Sequence, residues 1–210
     1  MKNKTQAHRG RPAVLPKMLD PLKRKGIFQL KDAKKMGISQ SSLSRLVASG
    51  KILRVESGLY LHPDSSLEGV ERDYVVACMK FGSGSVIGGM TALFHYHLVE
   101  EVPQRVWILV PYDRKTRHPT YRCLRTKTNP KIGIEDHGAY RITNLERTLV
   151  EAFRYASKIG LRTALKASRT ALLEHRTTLE KIHAQAKALG LVKFIEKYWE
   201  TLIPESQGNI

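Results

Sequence analysis

The side chains in this chain best suited to chemistry are cations and small polar groups, and their spacing suits them to an extended polyanion. Arg9 and Arg11 flank Gly10 and are followed by Pro12, with Lys2 and Lys4 upstream. Glycine lets the backbone approach a groove floor, and proline resists helix, so this stretch reads as a narrow, extended, doubly charged strand. The minor groove of A·T-rich DNA is narrow and strongly negative, and it accepts such a strand. A second set lies in "SQSSLSRLVASG", where Ser39, Gln40, Ser41, Ser44 and Arg45 fall close together. Small polar side chains allow a helix to sit deep in a major groove, while Gln and Arg carry the groups that reach base edges. Lys51 and Arg54 follow as candidate contacts to backbone phosphates.

These groups act together only if the chain holds them on one face. "LPKMLDPLKRKG" predicts a short helix capped by Asp20, with Pro21 at its first position. "FQLKDAKKMG" predicts a two-turn helix with Leu30, Ala33 and Met36 on one side and Gly37 as its stop, Ile38 packing the turn. The next helix starts at Ser39 as N-cap and ends at Gly50, with Leu43, Leu46 and Val47 as its buried stripe. Ser41, Ser44, Arg45 and Ala48 then face outward. "KILRVESGLYL" reads as a hairpin turning at Glu56-Ser57-Gly58, a wing carrying Lys51 and Arg54. Helix, turn, helix and wing make a winged helix-turn-helix over residues 16–63. The arm ahead of it, residues 1–15, resembles the core of an AT-hook, and its place suits entry into the adjacent minor groove.

Charge follows the same division. The 210 residues include 36 Lys plus Arg against 19 Asp plus Glu, a net +17 with pI near 10.0. Residues 1–62 hold fourteen basic and three acidic side chains, so +11 of the excess lies there and polyanion binding is an N-terminal property. Cys78 and Cys123 form no disulfide framework and have no metal spacing, which suits a reducing compartment. No run approaches the roughly 18 apolar residues of a membrane span, and no apolar segment follows the basic N-terminus as a signal peptide would require. A cytoplasmic protein without membrane contact is expected.

Residues 64–210 predict a small mixed-sheet α/β region (64–156) and a helical region (157–210), so the chain as a whole is α+β. Pro63 to Ser66 reads as a linker and Leu67 to Phe81 as a helix. The glycines of "GSGSVIGGMTALFHYHL" make no phosphate loop, because no Lys-Ser/Thr follows the last of them. A flexible turn before a helix from Thr91 is expected instead. "QRVWILVP", "TYRCLRT" and "AYRIT" predict three strands. Thr143 with Glu146 predicts a capping box for a helix over Leu145 to Tyr155, and Thr177 with Glu180 repeats it further on. Catalytic chemistry finds little to use here. His95 and His97, two apart on a helix, point about 200° away from one another and cannot share a metal. Glu100 and Glu101 diverge, and Asp113, Glu135, Asp136 and Glu146 lack any spacing that singles out a nuclease site. The reading is therefore a protein that is not an enzyme and has no metal or cofactor.

Five segments in order carry a family resemblance: "GISQSSLSRLVASGKILRVESGLYL", "SVIGGMTALFHYHL", "VWILVP", "YRITNLERTLVEAFRY" and "KIGLRTALKASR". They resemble the AbiEi-type antitoxins of bacterial type IV toxin–antitoxin systems, which act in abortive infection and phage resistance. The match runs from about residue 22 to 203, is most specific over Ile142 to Tyr155, and leaves the Arg-Gly-Arg-Pro arm outside. The family usually has Asp where Glu151 stands. The resemblance implies a winged helix that binds inverted repeats in its own promoter and represses its operon. It also implies a C-terminal region that counters a nucleotidyltransferase-like toxin without needing a stable complex. The residues themselves leave open a stand-alone regulator of a mobile element or an enzyme acting on nucleic acid.

Overall fold

Leu22, Phe28, Ala33, Ile38, Leu43 and Ile52 are all removed from solvent and pack into one cluster, the core of the N-terminal unit. The computed structural model describes residues 18–67, 69–114 and 117–202, and the arm with Arg9 and Arg11 lies outside them. The core is enclosed by α1 (Asp20–Lys25), β1 (Ile27–Gln29), α2 (Leu30–Lys35), α3 (Gln40–Ala48), β2 (Leu53–Glu56) and β3 (Leu59–Leu61). The strands form an antiparallel sheet in the order β1-β3-β2. Sequence patterning missed β1, because "IFQ" runs straight into α2 and three residues are too few to show alternation. Asp20 also differs from expectation: Leu19 is the N-cap, and Asp20 is already helical.

The stretch from Pro63 to Ser66 is not a free linker. Ser65 is buried, a Cβ placed on Gly26 would lie 3.2 Å from its Oγ and 3.5 Å from Leu67, and Asp64 pairs with Lys23 at 3.6 Å. The chain instead divides into two compact units between Arg72 and Asp73, within α4 (Gly69–Phe81).

The second unit contains a five-stranded mixed sheet, β6-β5-β4-β8-β7, built from β4 (Val86–Ile87), β5 (Val106–Pro111), β6 (Tyr121–Thr126), β7 (Ile134–Asp136) and β8 (Arg141–Thr143). β5 pairs parallel with β6, β4 parallel with β8, and the remaining pairs are antiparallel. The central strand, β4, is two residues long and falls within the glycine-rich segment expected to be a flexible turn. α5 (Gly89–His95) follows it directly, two residues before the expected start at Thr91. Here glycine allows close packing rather than phosphate binding: Gly89 has φ +56°, and a Cβ there would lie 2.8 Å from Trp107.

α6 (Leu145–Arg154) is the axis of this unit, packing against α5, α8 (Leu161–Leu173), α9 (Leu179–Ala188) and α10 (Val192–Ile195). The short α7 (Ala156–Ile159) and α11 (Trp199–Leu202) complete the helices. Neither predicted capping box forms, and the N-cap of each helix lies one residue later. Asn144 caps α6 by accepting from Arg147 N at 3.0 Å, and Thr178 caps α9 by accepting from Lys181 N at 3.3 Å. The residues assigned to the two boxes bond elsewhere: Thr143 Oγ1 lies 2.7 Å from Thr148 Oγ1, and Thr177 Oγ1 donates to Glu146 at 2.8 Å. Among the described residues no helix is long and apolar enough to cross a membrane.

Candidate nucleic-acid interface

The turn between α2 and α3 fixes how the exposed face is presented. Gln29 and Asp32 form a reciprocal capping box at the start of α2, in which Gln29 N donates to Asp32 Oδ2 at 2.8 Å. Asp32 Oδ1 also accepts from Lys25 Nζ at 2.7 Å. Burial opposes ionisation of Asp32, but the Lys25 ammonium and the Gln29 amide outweigh it and hold the carboxyl below its ordinary range. α2 ends in a Schellman stop: Gly37 takes φ +77°, Ile38 N donates to Ala33 O at 2.9 Å, and Gly37 N donates to Lys34 O at 3.0 Å. Ile38 is thereby placed in the core, and the chain is re-aimed into α3.

Ser39 caps α3 as expected, its Oγ accepting from Ser42 N at 3.2 Å and lying 3.0 Å from Ser41 Oγ. Leu43 is buried and Leu46 and Val47 are half-buried, whereas Ser39, Gln40, Ser41, Ser44, Arg45 and Ala48 are exposed. The predicted outward face of α3 is therefore exposed as one surface. In the free protein its polar groups rest on their own helix. Ser44 Oγ donates to Gln40 O at 3.0 Å, and Arg45 reaches back to Ser41 O and Ser42 Oγ, each at 3.4 Å. Bonds of that length are weak, so the guanidinium can swing outward at small cost.

The wing turns where the sequence placed it. β2 and β3 pair Arg54 with Tyr60 and shift register between Arg54 and Glu56, a bulge next to the Ser57-Gly58 turn, where Gly58 has φ +77°. Arg54 is exposed on β2. Lys51 is exposed too, but it sits in the bend ahead of the strand rather than on the wing itself. The structure adds cations that the sequence reading passed over: Lys31, Lys34 and Lys35 on α2 are exposed, as are Lys23, Arg24 and Lys25 on α1. Their charge is already present in "KDAKK", whose helical period is carried by the apolar positions alone.

The same stretch is similar to a known family. Residues 19–63 match the family described as "Transcriptional regulator, AbiEi antitoxin". The matched residues run from Leu19 through α1, α2, α3 and the wing, so the AbiEi match rests on the winged head. Among solved structures, the RV2827C protein from Mycobacterium tuberculosis is similar in fold, with a TM-score of 0.58 and 13% identity over 91% of this chain and 78% of that one. No curated protein matches the chain.

Outside the AbiEi-matched head, two clusters of ionisable side chains stand out. Arg147, on α6 and fully buried, donates to Asn129 O and Ile132 O through Nη1, to Thr128 Oγ1 through Nη2 at 3.1 Å, and to Glu151 Oε1 through Nε and Nη2, both at 3.3 Å. It pins the loop of residues 128–132 onto α6. Burial pushes the Glu151 carboxyl above its ordinary range despite Arg147 and Arg154, and its Oε2 has no hydrogen-bond partner. The stretch most specific to the AbiEi resemblance thus contains a buried framework pair. The second cluster joins His95, Glu135 and His137, whose ligating atoms all lie within 4.8 Å of one another. His97 is not part of it, because it is the left-handed residue (φ +55°) of the stop after α5, with Leu98 N donating to Leu93 O at 2.9 Å. Spacing along one helix could not reveal this group, since two of its members come from β7 and the turn after it.

Proposed function

We propose that the head reads operator DNA as a winged helix, making the chain a DNA-binding transcriptional regulator and not an enzyme. The observation that carries this is the α3 surface: Gln40, Ser41, Ser44 and Arg45 are exposed together, opposite buried Leu43 and close in sequence to a hairpin bearing Arg54. α3 would enter the major groove with Gln40 and Arg45 on base edges and Ser39, Ser41 and Ser44 allowing close approach. Lys51 and Arg54 would sit on phosphates, joined by Lys31, Lys34 and Lys35 of α2. Arg9 and Arg11 would follow the adjacent minor groove. Carried over from the AbiEi family, the regulator would repress its own promoter and counter a nucleotidyltransferase-like toxin of a type IV system.

Two variants separate base reading from positioning on the DNA upstream of the chain's own gene. Arg45→Ala should lose roughly 1–3 kcal/mol on the specific site and relax preference at one or two base pairs. Arg54→Ala should weaken specific and random DNA alike and make the log–log salt slope shallower by about 0.9 per lost phosphate contact. If Arg45→Ala weakens all sequences equally, α3 is not the reading helix.

A further inference from the structure

We propose that His95, Glu135 and His137 form a zinc-binding site in the second unit. Two imidazoles and one carboxylate are a borderline donor set suited to zinc among the common divalent cations, and three protein ligands leave a fourth position for water. The three residues come from separate places: His95 is the last residue of α5, Glu135 is the middle residue of β7, and His137 begins the turn into β8. Their ligating atoms lie within 4.8 Å of one another, and the edge from Glu135 Oε2 to His137 Nε2 is already 3.6 Å. Tetrahedral zinc with bonds of about 2.0–2.2 Å requires ligand separations of about 3.4 Å, so one edge is nearly in place and small side-chain rotations supply the others.

The surroundings have the arrangement that orients metal ligands. The Tyr96 hydroxyl lies 2.9 Å from both Glu135 Oε1 and Thr143 O and shares its one proton between them, leaving Oε2 as the oxygen turned toward His137. His137 is held by its backbone, with N donating to Tyr140 O at 3.0 Å, and by stacking on the Tyr140 ring at 4.7 Å and 10°. His95 stands edge-on to Tyr74 at 6.1 Å and to His137 at 6.3 Å. With side-chain exposures of 40% for His137 and 43% for Glu135, the site is open to an ion from solvent. Bound zinc would tie the end of α5 to the β7–β8 hairpin at the edge of the sheet, and it would raise the stability of the unit by mass action.

The test is calorimetric titration of Zn2+ into the untagged full-length chain. Thermal unfolding followed by the fluorescence of Trp107 and Trp199, both in this unit, accompanies it. One equivalent should bind and raise the midpoint. His137→Ala, at an exposed position, and Glu135→Gln, at a half-buried one where the amide oxygen can still accept from Tyr96, should each weaken binding at least tenfold and remove the zinc-dependent rise. His97→Asn, which keeps the left-handed backbone and deletes the neighbouring imidazole, should bind as the parent does. Absence of zinc binding, or binding of equal strength in His137→Ala and Glu135→Gln, would overturn the site and leave an ordinary imidazole–carboxylate contact.

Discussion

Arg147→Met removes a cation from the interior of the second unit while keeping most of its volume, and so isolates what the guanidinium holds together. In the native fold it satisfies the carbonyls of Asn129 and Ile132, the Thr128 hydroxyl and Glu151 Oε1, with no solvent exposure. Removing one partner of a buried pair costs about 3–5 kcal/mol, because the remaining charge is left uncompensated. Each carbonyl left without a donor adds about 1 kcal/mol or more unless water reaches it. A total of about 5–7 kcal/mol is expected, equivalent to a fall of roughly 15–25 °C in the unfolding midpoint for a unit of this size. Trp107 and Trp199 both lie in the second unit, so tryptophan fluorescence during urea or thermal unfolding reports on it selectively. Two controls separate electrostatics from packing. Arg147→Met/Glu151→Leu should be more stable than Arg147→Met alone, since no orphaned carboxylate remains. Acidification should also narrow the deficit of the single variant. The folded Glu151 carboxyl titrates above its ordinary value of 4.5, so its contribution is fully present below that pH and is lost as pH rises through the folded value. A loss under about 1 kcal/mol, or a double variant no better than the single, would refute the account of Arg147 as the clamp between α6 and its loop.

Two further outcomes follow from the local geometry. Asn144→Ala and Thr178→Ala should each cost about 1 kcal/mol in the same urea unfolding, as loss of an N-cap does, and an unchanged midpoint in either would void that cap assignment. In the head, Asp32 titrates below its ordinary value, so its stabilisation is present above about pH 3.9 and is lost as pH falls through the lower folded value. Asp32→Asn should therefore destabilise the head at neutral pH, with the gap from the parent closing below pH ~4. Methyl resonances of Ile27, Ile38 and Ile52 would follow this, and a gap independent of pH would rule out the carboxylate as its source.

In the head the local elements of the reading helix and the wing turn were legible, whereas β1 and the N-cap of α1 were not. The Ser39 cap, the Gly37 stop, the Leu43 stripe with its polar opposite face and the turn at Ser57-Gly58 all depend on residues within a few positions of one another, where helical period and left-handed glycine operate. The concentration of positive charge in the first third was legible for the same reason: composition needs no fold. The second unit was decided by partners far apart in the chain. β4 is too short to show a period and exists because β5 and β8 flank it. Thr177 and Glu146 looked like halves of two separate caps, yet they bond to each other across 31 residues. Nothing local to Arg147 marked it for burial, which carbonyls of the 128–132 loop make tolerable. His95 met Glu135 and His137 only because the sheet brings the β7–β8 hairpin to the end of α5. Burial and long-range hydrogen bonding are properties of the packed chain, and residue type constrains them only once the partner is in place.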